Sequence, residues 1–296
     1  MKTLIAISLS LSLLLPAITV AQSNGSGQKI VIMDSGLATG DFFRNRVVDQ
    51  WCWSRPSVLF NNEASNSNPE ARHYNIFSMC QNQAQSDFST STAAQIPRTA
   101  FHNIAPYYTN HVFGTNHGST VLGKAAVTAS GARFIVINNT YYDSNRRSLD
   151  VNGERKQCGF HGPNGTPMNI AGVQQPSSSI GCYSPHDAER QSEVMAKVLV
   201  TSNVAAVNYS ADAVANCNLN NSTFRTLKDR NIAFIASAGN GGASSFIGYP
   251  ACNSNVISVG AVTANLNSVH PVTSLRGVKL DFLATGTAPD LSLIHI

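Results

Sequence analysis

Short apolar runs recur along the chain with helical periodicity between them, and this rhythm constrains the fold more than any other feature. Lys29-Ile30-Val31-Ile32-Met33 predicts a buried strand. The runs at 133–137, 204–207, 232–236, 256–262 and 279–283 predict further strands of the same kind. Between them, helices are predicted over 117–127, 187–202 and 222–230. In the second of these, Val194, Val198 and Leu199 recur at helical spacing, while Glu189, Arg190 and Lys197 lie off that face. Strands alternating with helices imply an α/β fold: a doubly wound, mostly parallel sheet with helices on both faces.

Two stretches break the rhythm. Residues 50–110 and 143–185 are long and rich in polar residues, and each contains a pair of cysteines. Segments of this length inside a compact domain are read as disulfide-pinned insertions at the rim of the sheet, not as separate domains. The chain has 6 cysteines. Their order suggests three successive loops, Cys52–Cys80, Cys158–Cys182 and Cys217–Cys252, although order alone does not fix the pairing. No CxxC or His/Cys spacing fits a zinc site, so structural disulfides in an oxidising compartment are expected.

The amino terminus agrees with export. Met1-Lys2 is a short positive start, an apolar run extends from Leu4 to Leu15, and Pro16 closes it. Thr19-Val20-Ala21 offers small residues for cleavage, so residues 1–21 read as a signal peptide and the mature chain begins near Gln22. No other stretch is long and apolar enough to anchor the chain. The expected location is therefore secreted or periplasmic, with no stable membrane association after cleavage. A formal charge of +4 is too small and too scattered to indicate nucleic acid as a partner. With 43% hydrophobic and 12% charged residues, a large packed core is expected.

Four segments carry the candidate chemistry. In Ile32-Met33-Asp34-Ser35-Gly36 a carboxylate ends a predicted strand, at the sheet edge where open α/β folds place their sites. In Asn116-His117-Gly118-Ser119-Thr120 a histidine opens a predicted helix. Its rival, His161-Gly162, sits in a polar loop with no element to hold it. Val207-Asn208-Tyr209-Ser210 is a strand ending in small polar residues. Ala236-Ser237-Ala238-Gly239-Asn240 runs from a strand into an amide suited to an oxyanion donor. Gly239-Asn240-Gly241-Gly242 lacks the GxGxxG spacing that a nucleotide site would require.

In this order the segments resemble those of the subtilisin-like serine peptidases. Tyr249-Pro250-Ala251, the strand at 256–262 and Asp281-Phe282-Leu283-Ala284-Thr285-Gly286 continue the resemblance, which spans residues 29–286. It implies a subtilisin-like fold and a serine endopeptidase acting on polypeptides, expected to be a monomer. Asp34 would orient His117 and stabilise its imidazolium, and His117 would be general base and then general acid. Asn240 would donate to the tetrahedral oxyanion. Ser210, Ala211 and Asp212, with Ala238 and Gly239, would line the substrate cleft. The chemistry requires no cofactor. Structural calcium is common among proteins of this kind, but no ligand cluster stands out here and no metal residue is assigned.

The pattern departs from the family at several points. No Gly-Thr-Ser-x-Ala segment is present, so the sequence as written is expected to lack the nucleophile and to be inactive. Leu291-Ser292-Leu293-Ile294-His295-Ile296 reads as an adapter-encoded tail, which leaves 22–290 as an incomplete peptidase domain. The span between the cleavage site and Asp34 leaves no room for a propeptide. Leu122 replaces a small residue of the family's histidine segment. Asp212 stands where glycine is common, which implies a bias toward basic peptide side chains. The alternative is a natural, serine-less secreted protein that binds peptides without cleaving them.

Overall fold

A computed structural model describes residues 24–37, 43–54, 58–59, 75–78, 80, 86–88, 92–95, 117–143, 147–149, 155–157, 169–170, 173–174, 183–185, 191–211, 215–239, 247–263 and 279–285. The expected signal peptide, Cys158, Cys182, Asp212, Asn240 and the tail at 291–296 lie outside these residues.

The core of the fold is an 8-stranded sheet. Its strands in chain order are β1 (Lys29–Asp34), β2 (Val47–Trp53), β3 (Ser86–Asp87), β4 (Arg133–Asn138), β5 (Val204–Tyr209), β6 (Ala233–Ser237), β7 (Ile257–Val262) and β8 (Phe282–Thr285). Across the sheet they run β8-β7-β6-β5-β1-β4-β2-β3. Every pairing is parallel except that of β3 with β2. From β1 the chain builds one half of the sheet through β4 and β2. It then crosses to β5 and builds outward to β8. The direction therefore reverses beside β1, which makes the carboxyl end of that strand a topological switch point.

Among the described residues, three α-helices cover the sheet: α1 (His117–Thr128), α2 (Gln191–Leu199) and α3 (Asn221–Asp229). The strands show which helix lies on which side. Ile32, Phe134 and Val136 pack with Val121, Leu122 and Ala126 of α1. Val31, Met33, Ile135 and Ile137 alternate with them and pack with Val194 and Val198 of α2 and Phe224 and Leu227 of α3. Alternate residues of one strand thus enter two separate cores. This is why β1 and β4 read as unbroken apolar runs instead of an apolar–polar alternation. The expected doubly wound fold is what the chain forms.

The excursion predicted to begin at residue 50 requires a correction. Gln50, Trp51, Cys52 and Trp53 belong to β2, inside the main sheet and parallel to β4. Asp49 and Gln50 interrupt the apolar run, so the strand has no strong sequence signature, although Trp51 and Cys52 are both buried. The polar excursions instead contribute a small antiparallel sheet. Tyr183–Pro185 pairs with Thr140–Asp143, which pairs with Asn75–Ser78, which pairs with Val58–Leu59. The bonds Cys52–Cys80 and Cys217–Cys252 are formed as the order of cysteines suggested.

Candidate active site

Asp34 is the last residue of the central strand β1, and His117 is the first of α1. His117 Nδ1 lies 2.7 Å from Asp34 Oδ1. The carboxylate side chain is 2% exposed and the imidazole 21%. The pair is therefore anchored at one end and open at the other, as a base serving a bound substrate requires. Burial acts most strongly on His117 and disfavours the charged ring. The hydrogen bond to Asp34 and its negative charge together outweigh burial and hold the imidazole above its ordinary value of 6.5.

The residues following Asp34 fix this geometry. The Ser35 N–H donates to the same Asp34 Oδ1 at 2.6 Å, and the Gly118 N–H donates to Ser35 Oγ at 3.1 Å. Gly36 has φ +88°, in the left-handed region that favours glycine. A Cβ on Gly36 would lie 2.3 Å from the Ala94 carbonyl oxygen, and one on Gly118 would lie 2.1 Å from the Gly36 oxygen. The strand end and the helix start therefore touch backbone to backbone. On the other side, Asn139 N–H donates to the Asp34 carbonyl oxygen at 3.0 Å.

The remaining candidate segments lie along the same edge. β5 and β6 follow β1 in the sheet, with Met33 opposite Tyr209 and Tyr209 opposite Ala236. Ser210 and Ala211 thus emerge beside Asp34, and Ala238 and Gly239 emerge next. The Ser210 side chain is buried and accepts from Asn208 Nδ2 at 2.9 Å. Gly239 has φ +98°, and its N–H donates to Ser237 Oγ at 3.1 Å. Asp34, His117, Ser210, Ala211, Ala238 and Gly239 are therefore brought to one edge of the sheet. Asn240 and Asp212 are outside the described residues, so their side chains are not placed.

A further network supports the end of β6. Gly248 N–H donates to the Ala238 carbonyl at 3.2 Å. The next residue, Tyr249, is buried; its hydroxyl donates to Gln191 Oε1 and accepts from Asn220 Nδ2, both at 3.0 Å. Burial pushes its pKa up to about 12, and the Asn220 hydrogen bond opposes that rise. The Cys217–Cys252 bond and the Asn253 Nδ2 donation to the Cys217 carbonyl tie the same turn to the approach of α3. Sequence reasoning picked out Tyr249-Pro250-Ala251 but not its partners, because Gln191 and Asn220 lie far away in the chain. Among the described residues, no group of three or more His, Cys, Asp or Glu side chains forms a metal-binding set. No helix among them is long and apolar enough to cross a membrane.

A doubly wound sheet with a carboxylate–imidazole pair at its switch point defines an α/β protein equipped for acid–base chemistry. The sequence matches the model of the subtilase family, peptidase S8, over residues 25–293, and the chain belongs to that family. No curated protein matches the sequence. Among solved structures, it is similar to a prenylagaramide maturation protease at 11% identity, with a TM-score of 0.42, over 90% of this chain. It is also similar to a psychrophilic subtilisin-like protease of the Antarctic psychrotroph Pseudoalteromonas sp. AS-11, at 16% identity with a TM-score of 0.45 over 90% of this chain. The chain spans 65% and 42% of the lengths of those two proteins.

Proposed function

We propose that this protein is an exported serine endopeptidase in which Asp34 and His117 form two members of a catalytic triad. The observation that carries the reading is the 2.7 Å contact between His117 Nδ1 and Asp34 Oδ1 at the carboxyl end of the central strand. With Nδ1–H committed to Asp34, the tautomer leaves Nε2 as the acceptor. Nε2 takes the proton of a serine hydroxyl as that oxygen attacks the peptide carbonyl. The imidazolium is stabilised by the buried carboxylate and returns the proton to the leaving amine. Asn240 donates to the oxyanion, and an extended polypeptide lies against the backbone of Ser210–Asp212 and Ala238–Gly239. The reaction needs no cofactor. The third member of the proposed triad would be a serine in a Gly-Thr-Ser-x-Ala segment, the segment for which the test below looks. The two disulfides between described cysteines support passage through an oxidising compartment.

The test begins by sequencing the gene through and past the codon for Asp290, then expressing the whole reading frame with export. The expected product hydrolyses a denatured protein substrate, is labelled by a fluorophosphonate, and loses both properties in Asp34→Asn and His117→Ala variants. A genuine stop codon after Ile296, with a folded product that binds peptides without cleaving them, would replace this reading with that of a serine-less binding protein.

A further inference from the structure

We infer that Ser35 is a positioning residue that sets the helix bearing His117 against Asp34 through its side-chain hydroxyl. The inference rests on the peptidase reading only for its consequence in catalysis; the link itself is a property of the fold. The first N–H groups of a helix have no partner within it and require one from outside. In α1 the first turn contains no acidic residue. The Gly118 N–H instead donates to Ser35 Oγ at 3.1 Å, from a residue 83 positions earlier in the chain. Ser35 is 1% exposed, so water does not compete for this contact.

Two groups of the same residue act on the two members of the pair. The Ser35 main-chain N–H holds Asp34 Oδ1 at 2.6 Å, while its side-chain oxygen holds the first turn of the His117 helix. The backbone contact between Gly36 and Gly118 blocks closer approach. That contact limits how near the helix can come, and the hydroxyl limits how far it can retreat. Removing the hydroxyl removes only the second restraint. The carboxylate stays in place, the Gly118 N–H loses its acceptor, and the helix start moves away from Asp34. Asp34 is the charged group placed against the imidazole, so His117 is the residue that registers the change.

Ser35→Ala and Ser35→Thr are compared with the unaltered chain, with Asp34→Asn as reference. The readouts are the NMR titration of the His117 ring and the resonance of its Nδ1 proton, neither of which requires the nucleophile. Ser35→Ala is expected to lower the His117 pKa and to weaken the Nδ1 proton signal. Ser35→Thr, which keeps a hydroxyl, is expected to retain both. In the full reading frame, Ser35→Ala is expected to lower kcat on the order of 10-fold or more, with KM little changed. A folded Ser35→Ala protein with an unchanged titration overturns the inference. Should that variant fail to fold, amide exchange in the unaltered chain decides. Gly118 N–H is expected to be strongly protected, and exchange of that amide at the rate of an unstructured chain overturns the inference. If Asp34→Asn also leaves His117 unmoved, the peptidase reading fails; if only Ser35→Ala does, this inference alone fails.

Discussion

Replacing Gly118 by alanine tests whether the strand end and the helix start meet as closely as the backbone requires. The added Cβ would lie 2.1 Å from the Gly36 carbonyl oxygen and 3.1 Å from the Gly36 carbonyl carbon and nitrogen. The obstruction is backbone, so no side chain can swing aside. Restoring an ordinary contact requires about 1 Å of separation between Asp34-Ser35-Gly36 and the first turn of α1, a strain of roughly 1–3 kcal/mol. Added to the 2.7 Å between His117 Nδ1 and Asp34 Oδ1, the same displacement carries the pair beyond hydrogen-bonding distance. A misplacement of about 1 Å costs on the order of 100-fold in rate when the base is misaligned. Gly123→Ala, in the same helix, is the internal control. There the new Cβ meets only Phe43 Cε2 at 3.4 Å and Cδ2 at 3.8 Å. Replacing a mid-helix glycine where the new Cβ makes only ordinary van der Waals contact is expected to stabilise by about 0.5–1 kcal/mol. Urea unfolding should therefore move in opposite directions for the two variants, and only Gly118→Ala should lower the His117 pKa. Gly118→Ala with an unchanged midpoint and an unchanged titration would refute the close backbone contact.

Asp34→Asn removes the negative charge that helps raise the His117 pKa and replaces a charged acceptor by a weaker neutral one, so burial should prevail; NMR titration should show a downward shift, and the complete enzyme should lose on the order of 10⁴-fold in kcat. Because the folded His117 pKa lies above its unfolded value, its contribution to stability is full below the unfolded pKa. That contribution is lost as pH rises through the folded pKa, and the acid limb of a kcat/KM profile should lie above 6.5; a limb below 6.5 would contradict the pairing. Tyr249→Phe removes the hydroxyl shared by Gln191 and Asn220 and should cost about 1–3 kcal/mol in urea unfolding, while in the unaltered chain ultraviolet titration should find this phenol un-ionised until about pH 12. Replacing Cys52 and Cys80 by serine opens a loop of 28 residues and should cost about 3–4 kcal/mol, measured by the same unfolding assay.

The strands most legible in the sequence are those buried along most of their length. β1 and β4 are marked by apolar runs and α1 by the histidine and small residues that open it, and the structure extends each by only one residue, to Asp34, Asn138 and Thr128. The strand predicted at 279–283 begins later, at Phe282. Lys279 and Asp281 are engaged instead in a side-chain cluster with Ser258, in which Lys279 Nζ donates to Asp281 Oδ2 at 2.6 Å. β2 was hidden because Gln50 is a buried polar residue in the middle of the strand. Asp34 and His117 could be singled out because one ends a strand and the other starts a helix. The contacts of Ser35 and of Gln191 with Tyr249 could not, since each joins segments far apart in sequence and leaves no local periodicity.

The separation of space from chemistry in this fold also bears on substrate. A groove of about 410 Å³ opens where Ala233, Ile257 and Phe282 begin their strands, bordered by Lys228, Asn231 and Lys279. That is the amino edge of the sheet, opposite the carboxyl edge occupied by Asp34 and His117. Three neighbouring strands, β1, β5 and β6, terminate there within successive register positions. A small molecule gains most from enclosure. An extended polypeptide gains from main-chain segments laid side by side; under the peptidase reading the end of β5 is the segment to meet it, because both main-chain groups of Ala238 are already bonded, to Val259 and Gly248, and the Gly239 N–H to Ser237 Oγ. The same parallel topology that buries both faces of the sheet thus brings the ends of β1, β5 and β6 together beside the Asp34–His117 pair, where the proposed peptide would lie.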